Sequence, residues 1–305
     1  MTDKFQTAAE WPTVVLVALC YTVFFGAAIW VNPINTPIAC ILMVLAVVLQ
    51  SSLTHEMLHG HPFKSKIANA ALVFPAIGIF VPYLRFKDTH LAHHINEHLT
   101  DPYDDPETNY LDPAVWPTLS RSMQTTLRIN NTLLGRMILG PIISQSVFMM
   151  EDARAIIKGN RRVALGWALH IPAVLCVWLV LAGFSDVSMW QWIGVAYLGM
   201  GILKIRTFLE HRAHHDVSGR TVIVEDRGAL AFLFLNNNYH ALHHAQPCIP
   251  WFDLPRIYAQ RKAQVLRDND GYHFANYRQI FAKYLLRAKD PVVHPLWPKG
   301  KSWRN

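Results

Sequence analysis

The chain has 305 residues, 52% of them hydrophobic and only 16% charged, with a net charge of +7 at neutral pH. So little charge, with a positive mean hydropathy, is unlike a water-soluble protein and points to apolar runs of about 20 residues, the length that crosses a bilayer. The basic residues flank those runs instead of interleaving with aromatic ones, which excludes nucleic acid and favours an anionic membrane surface.

The N-terminal MTDKFQTAAEW leads into the first run, Trp11–Val31, too long for a signal-peptide core and therefore expected to remain as a span. Thr36–Leu53 is the second and continues without a charge into THEMLHGH. Ile67–Leu84 is broken by Pro75, Gly78 and Pro82, and Asn131–Met150 carries Arg136, Gly140 and Pro141. Both are expected to be re-entrant or interfacial. Val163–Phe184 is the third span. Met189–Phe208 is the fourth, with Lys204 and Arg206 in its last turns, where both can reach the interface. The loops NPINTP and SDVSM hold no lysine or arginine, so the positive-inside rule puts them outside and all else, both termini included, in the cytoplasm. A bacterial inner membrane is the expected location. From Trp251 onward, Arg256, Arg261, Lys262 and Arg267, then Lys299 and Lys301, mark a basic, mostly helical cytoplasmic cap. Cys20, Cys40, Cys176 and Cys248 form no CxxC pair and read as small hydrophobes, not as a disulfide frame or zinc site. The expectation is one all-α integral membrane domain over residues 1–305: a core of about 10–260 with four transmembrane helices, and a basic tail over 261–305.

All the histidines except His170, His273 and His294 lie in four short windows. HEMLHGH carries His55, His59 and His61. HLAHHINEH carries His90, His93, His94 and His98. EHRAHH carries His211, His214 and His215, and HALHH carries His240, His243 and His244. Spacings of i, i+3 and i+4 put neutral imidazoles on one side of a helix, as convergent metal ligation requires. Eight or nine imidazoles exceed the needs of one ion, so the count argues for two, each with four or five. Imidazole suits zinc, copper, iron and nickel, so the ligand type does not name the metal. His61, His98, His214 and His215 stand between direct ligation, support of a ligand and the surface. Glu56, Asp88, Glu97, Asp101, Asp104, Asp105, Glu107 and Glu210 lie in or beside the windows and are candidates to hold the second N–H of a ligand. Of Asn236, Asn237 and Asn238, one is a candidate for the metal or a water on it, Asn238 being singled out, with helix capping as the cheaper account.

HEMLHGHP, HLAHH and NNNYHALHHAQPCIPWFDLP resemble the integral-membrane fatty acid desaturase superfamily, whose boxes run HxxxH, HxxHH and HxxHH on the cytoplasmic side of four spans. The resemblance covers roughly residues 10–260. It implies a non-haem centre of two iron ions that uses dioxygen against an unactivated C–H bond. It also implies ligands at His55, His59, His90, His93, His94, His240, His243 and His244, with His211 in the place of a ninth. The chain departs from the pattern in its additional HxxHH at His211 and in HGHP after the first box. It carries no fused haem or ferredoxin-like domain, so electrons are expected from a separate ferredoxin- or cytochrome-type carrier with its reductase. The expected reaction is desaturation of the acyl chain of a fatty acid or lipid. Hydroxylation or ketolation of a lipid, carotenoid or other small molecule is the alternative within the same chemistry. A metal transporter or sensor would line its spans with ionisable residues, and these spans hold almost none.

Overall fold

The computed structural model describes residues 9–297, so Lys299, Lys301 and the chain ends lie outside the described residues. Helix α1, Trp11–Gly26, is free of charge and runs on through a π-turn, Ala27–Val31. Asn35 then caps α2, Thr36–Leu58, by accepting from the Ile38 amide, with Pro37 in the first turn where its missing N–H costs nothing. Helix α2 packs between α1 and the later α8 and carries the first two histidines into the protein. After it come the short α3, Lys66–Leu72, an irregular stretch, and α4, Tyr83–His93.

The irregular stretch, residues 73–82, does not form a span, in line with its helix breakers. Its carbonyls are taken up from several sides. Tyr21 and Gln50 donate to Pro75, Trp192 to Ile77, His170 to Ile79 and Gln145 to Phe80. Non-helical backbone at membrane depth survives only with such internal partners.

The amphipathic α5, Arg121–Asn130, leads to α6, Leu133–Ile157, capped by Thr132. Helix α7, Arg161–Phe184, is capped by Asn160, and α8, Met189–Thr207, by Ser188. The helices long and apolar enough to cross a membrane are Trp11–Val31, Thr36–Leu58, Leu133–Ile157 and Arg161–Phe184. This differs from expectation in two places. Met189–Thr207 has 19 residues and falls below that standard, because glutamine, glycines and two cations dilute it. Leu133–Ile157 meets it because the helix runs through Pro141 and past Met150. Its two buried charges are paired inside the protein: Arg136 donates to Asn109 and the Asn130 carbonyl, and Asp152 accepts from Arg85 and Trp167.

The contacts at both ends of α6 nevertheless reach elements that carry or adjoin the histidines. Leu134 bonds to Leu285 beside the segment that reaches His211. At the other end, Asp152 holds Arg85 of α4, and Arg162, just into α7, holds Asp88 at 2.6 Å. The opposite end is marked by Gln191, which donates to Asn32. Lys204 and Arg206, expected at the interface, line a large cavity.

Over the histidine end fold the short elements: β1, Ile223–Val224; α9, Ala229–Leu233; α10, His240–Ala245; α11, Leu254–Asp268; β2, His273–Phe274; and α12, Tyr277–Tyr284. The two strands pair in parallel, Ile223 with His273 and Val224 with Phe274. β1 and the residue before it hold α10 and the turn leading into it, through Val224 N to Asn238 and Ala241 N to Val222. The bundle turns isoleucine, leucine and tryptophan outward, Trp11, Trp30, Ile41, Ile171, Leu179 and Trp190 among them, an apolar exterior that water would not tolerate over such an area. The chain is a mostly helical, multi-pass membrane protein.

Candidate metal centre

Four separate elements deliver the imidazoles. His55 stands in the last turn of α2 and His59 caps it; His90 and His93 end α4 and His94 caps it. His211 follows α8 in a bridge with Thr221, and His240, His243 and His244 lie on α10. They gather as two neighbouring groups. His55, His59, His90, His94 and His243 form one, and His93, His211, His240 and His244 the other, each with its nitrogens within 4.8 Å of one another. His94 and His244 stack at 4.2 Å and join the two groups.

The spacing of the nitrogens decides what they suit. In the second group, His211 Nε2 lies 2.8 Å from His93 Nε2 and 3.0 Å from His240 Nε2. In the first, His90 Nε2 lies 3.0 Å from His94 Nε2 and 3.2 Å from His59 Nε2, and His94 Nε2 lies 3.2 Å from His243 Nε2. Two nitrogens each about 2.1 Å from one ion and at right angles would be about 3 Å apart. His90 directs Nδ1 at Glu107, 2.9 Å away, and His93 directs Nδ1 at Asp105, 2.7 Å away. A proton held there leaves both Nε2 atoms as bare lone pairs. Both Nε2 atoms then face the neighbouring imidazoles, an arrangement that suits a cation among them. His55 Nε2, buried without a hydrogen-bond partner, is a further unspent donor of the same kind. The residues present therefore fit two metal ions.

Electrostatics favour the ligand form. Burial, then the neighbouring imidazoles, push His59, His211, His240, His243 and His244 well below the ordinary histidine range, and His94 down to about 3. Neutral imidazole is what binds a metal. His93 is the exception: burial opposes its charging, but Glu107, Asp105 and Glu210 outweigh burial and lift it to about 9. A basic imidazole is a strong donor. Glu107, despite burial, is held well below the carboxylate range by His93 and His90. Burial and the charge of Glu107 raise Glu210, which pairs with Arg206 at 2.9 Å and lies 3.6 Å from His240 Nδ1.

Of the intermediate histidines, none joins either group. His61 holds Glu10 at 2.6 Å and ties the start of α1 to the loop after the first box. His98 lies in a 3-10 turn, His214 faces Asp270 at 3.1 Å, and His215 is exposed. Glu56 accepts from the Trp251 amide, which locks the first box to the chain leaving the last. Asn238 turns away and donates to Val224 and Asp226, while its neighbour Asn237 faces His240 Nδ1 at 3.2 Å. The sequence held a clue, since Asn237 and His240 are three residues apart, but a turn precedes the helix and either asparagine had a claim. Lys289, which donates to the His211 carbonyl, had no local signal at all. It comes from far along the chain.

Comparison with known proteins agrees with this geometry. The family described as fatty acid desaturase matches residues 32–276. The chain is also similar to a ceramide hydroxylase of Caulobacter vibrioides (strain NA1000 / CB15N), 23% identical over 282 residues that cover 80% of this chain and 77% of that one. Histidine groups of this geometry, helices of this length and the matched region lead to one assignment: the chain belongs to the fatty acid desaturase family.

Proposed function

We propose that the protein uses dioxygen to oxidise an unactivated C–H bond of a long-chain lipid at a pair of iron ions. The nine imidazoles in two adjoining groups support this reading above all else. His55, His59, His90, His94 and His243 would hold one iron, and His93, His211, His240 and His244 the other. Bound there, the irons supply dioxygen activation. For hydroxylation, R–H, dioxygen, two electrons and two protons give R–OH and one water. For desaturation the same inputs remove two hydrogens from adjacent carbons and give an alkene and two waters. A separate ferredoxin- or cytochrome-type carrier with its reductase would bring the electrons.

The chain's own residues orient the parts. Asp105 and Glu107 keep the His93 and His90 rings turned with Nε2 inward. A cavity of about 710 Å³ runs between α2, α4, α6, α7 and α8, a size that suits a lipid chain. Thr54 and Thr89 line it, each one residue before a box histidine, so a chain lying there passes the first imidazole group. Its mostly apolar wall excludes water from the reacting carbon.

Hydroxylation is the favoured outcome, on the likeness to the Caulobacter protein named as a ceramide hydroxylase. Desaturation of an acyl chain, expected from the box pattern, is the second reading. Small changes in substrate position separate the two. Expression in a host of defined lipid composition, followed by mass spectrometry, tests both. A product heavier by one oxygen supports hydroxylation, and one lighter by two hydrogens supports desaturation. Unchanged lipids, from iron-loaded protein supplied with reductant, would count against both. The topology that goes with this reading has the histidine end cytoplasmic in a bacterial inner membrane, crossings at α1, α2, α7 and α8, and both ends of α6 on the cytoplasmic side.

A further inference from the structure

The large cavity has one feature that an apolar chain does not need. Lys204, in the last turns of α8, lines it and makes no hydrogen bond or ion pair with any described residue. The other cations enclosed nearby are all engaged: Arg206 by Glu210, Arg136 by Asn109, Arg85 by Asp152 and Lys289 by Asp290. Lys204 is half-buried with no direct partner, and an ionisable residue within a membrane bundle calls for one. Glu107 also lines the cavity, but it is committed to His90. Glu107 and Thr207 border both this cavity and the small polar one that reaches His211, so the part of the cavity that holds Lys204 adjoins the imidazole groups. Farther along, Ile67, Phe74 and Leu169 make an apolar wall.

We propose that Lys204 binds an oxyanion, a carboxylate or phosphate, at the head of the lipid that occupies this cavity. The substrate class is then an anionic single-chain lipid whose head lies beside the metal groups and whose tail runs toward Ile67 and Phe74. Oxidation falls among the first carbons after the head. This rests on the lipid-oxidising reading for its chemistry, yet the binding itself is independent of turnover.

The test is equilibrium binding to purified protein in a nonionic detergent, with three probes of equal chain length: hexadecanoate, hexadecyl phosphate and methyl hexadecanoate. At least one anion is expected to bind roughly tenfold or more tighter than the ester, since a charge-assisted bond to a half-buried ammonium is strong. Which anion prevails identifies the source of the oxyanion. Lys204→Met is expected to erase that preference while leaving ester binding intact, and Lys204→Arg to keep most of it. Equal binding of all three by the wild type would overturn the proposal. So would a Lys204→Met protein that retains the preference, or one that loses the ester as well, because the lysine would then merely support the cavity. Failure here leaves metal content and lipid products untouched, whereas failure of the oxidase reading leaves the binding preference standing.

Discussion

His93 shows how much one side chain depends on its neighbours. Its Nδ1 faces Asp105 at 2.7 Å, and Asp105 in turn accepts from the amides of Thr100 and Glu107. Asp105→Asn would preserve shape and remove the charge that orients and enriches the imidazole. Such changes to the support of a ligand weaken metal binding by about 10–100-fold, so the variant is expected to lose iron to a chelator at correspondingly lower concentration, with its elution profile unchanged. Removing a ligand is harsher. His93→Ala, His94→Ala, His243→Ala and His244→Ala are each expected to abolish turnover and lower bound iron, whereas His215→Ala and His273→Ala keep both. His215 is exposed, and His273 faces Glu225 away from both groups. Full activity in any of the first four would remove that residue from the centre. The sequence made this gathering of imidazoles legible because imidazole has few other reasons to recur at i, i+3 and i+4. It left Asn237 and Lys289 obscure because their contacts depend on turns and on chain return, not on spacing.

At the scale of elements, α6 and α8 meet through glycine. A Cβ at Gly201 would come within 2.7 Å of the Met137 carbonyl oxygen, a backbone atom that cannot yield by rotation. Gly201→Ala is therefore expected to cost about 1–3 kcal/mol, read as a lower melting temperature in detergent. An unchanged melting temperature would mean that the two helices do not pack as described. The course of α6 has its own test. Cysteines placed at Asn131 and at Lys158 should label with an impermeant reagent only after the membrane is opened, while cysteines in Asn32–Pro37 and Ser185–Met189 label from outside. Labelling at Asn131 and Lys158 from opposite sides would make α6 a crossing helix. Composition could not resolve this element. Arg136 and Pro141 argue against a span when read alone, yet Asn109 absorbs the first and the helix continues through the second. Length then argues for a span, whereas the partners at its two ends, Leu285 and Arg85, support the proposed course on one side of the membrane.

Over the whole molecule, the bundle brings four distant windows of sequence to one end and arranges their imidazoles as two adjoining groups. Apolar runs and histidine spacing foretold that end and its contents, because burial and ligation both leave periodic marks. The count of four or five for each group was foreseen, but which imidazole joins which, with His93 separated from His90 and His94, was not legible, since it follows from ring directions at the close of α4. That the two groups hold a pair of irons is the central claim, and metal stoichiometry tests it most directly. Protein purified from iron-replete cells and analysed by elemental mass spectrometry is expected to carry two irons per chain. One ion per chain, or zinc in place of iron, would contradict it.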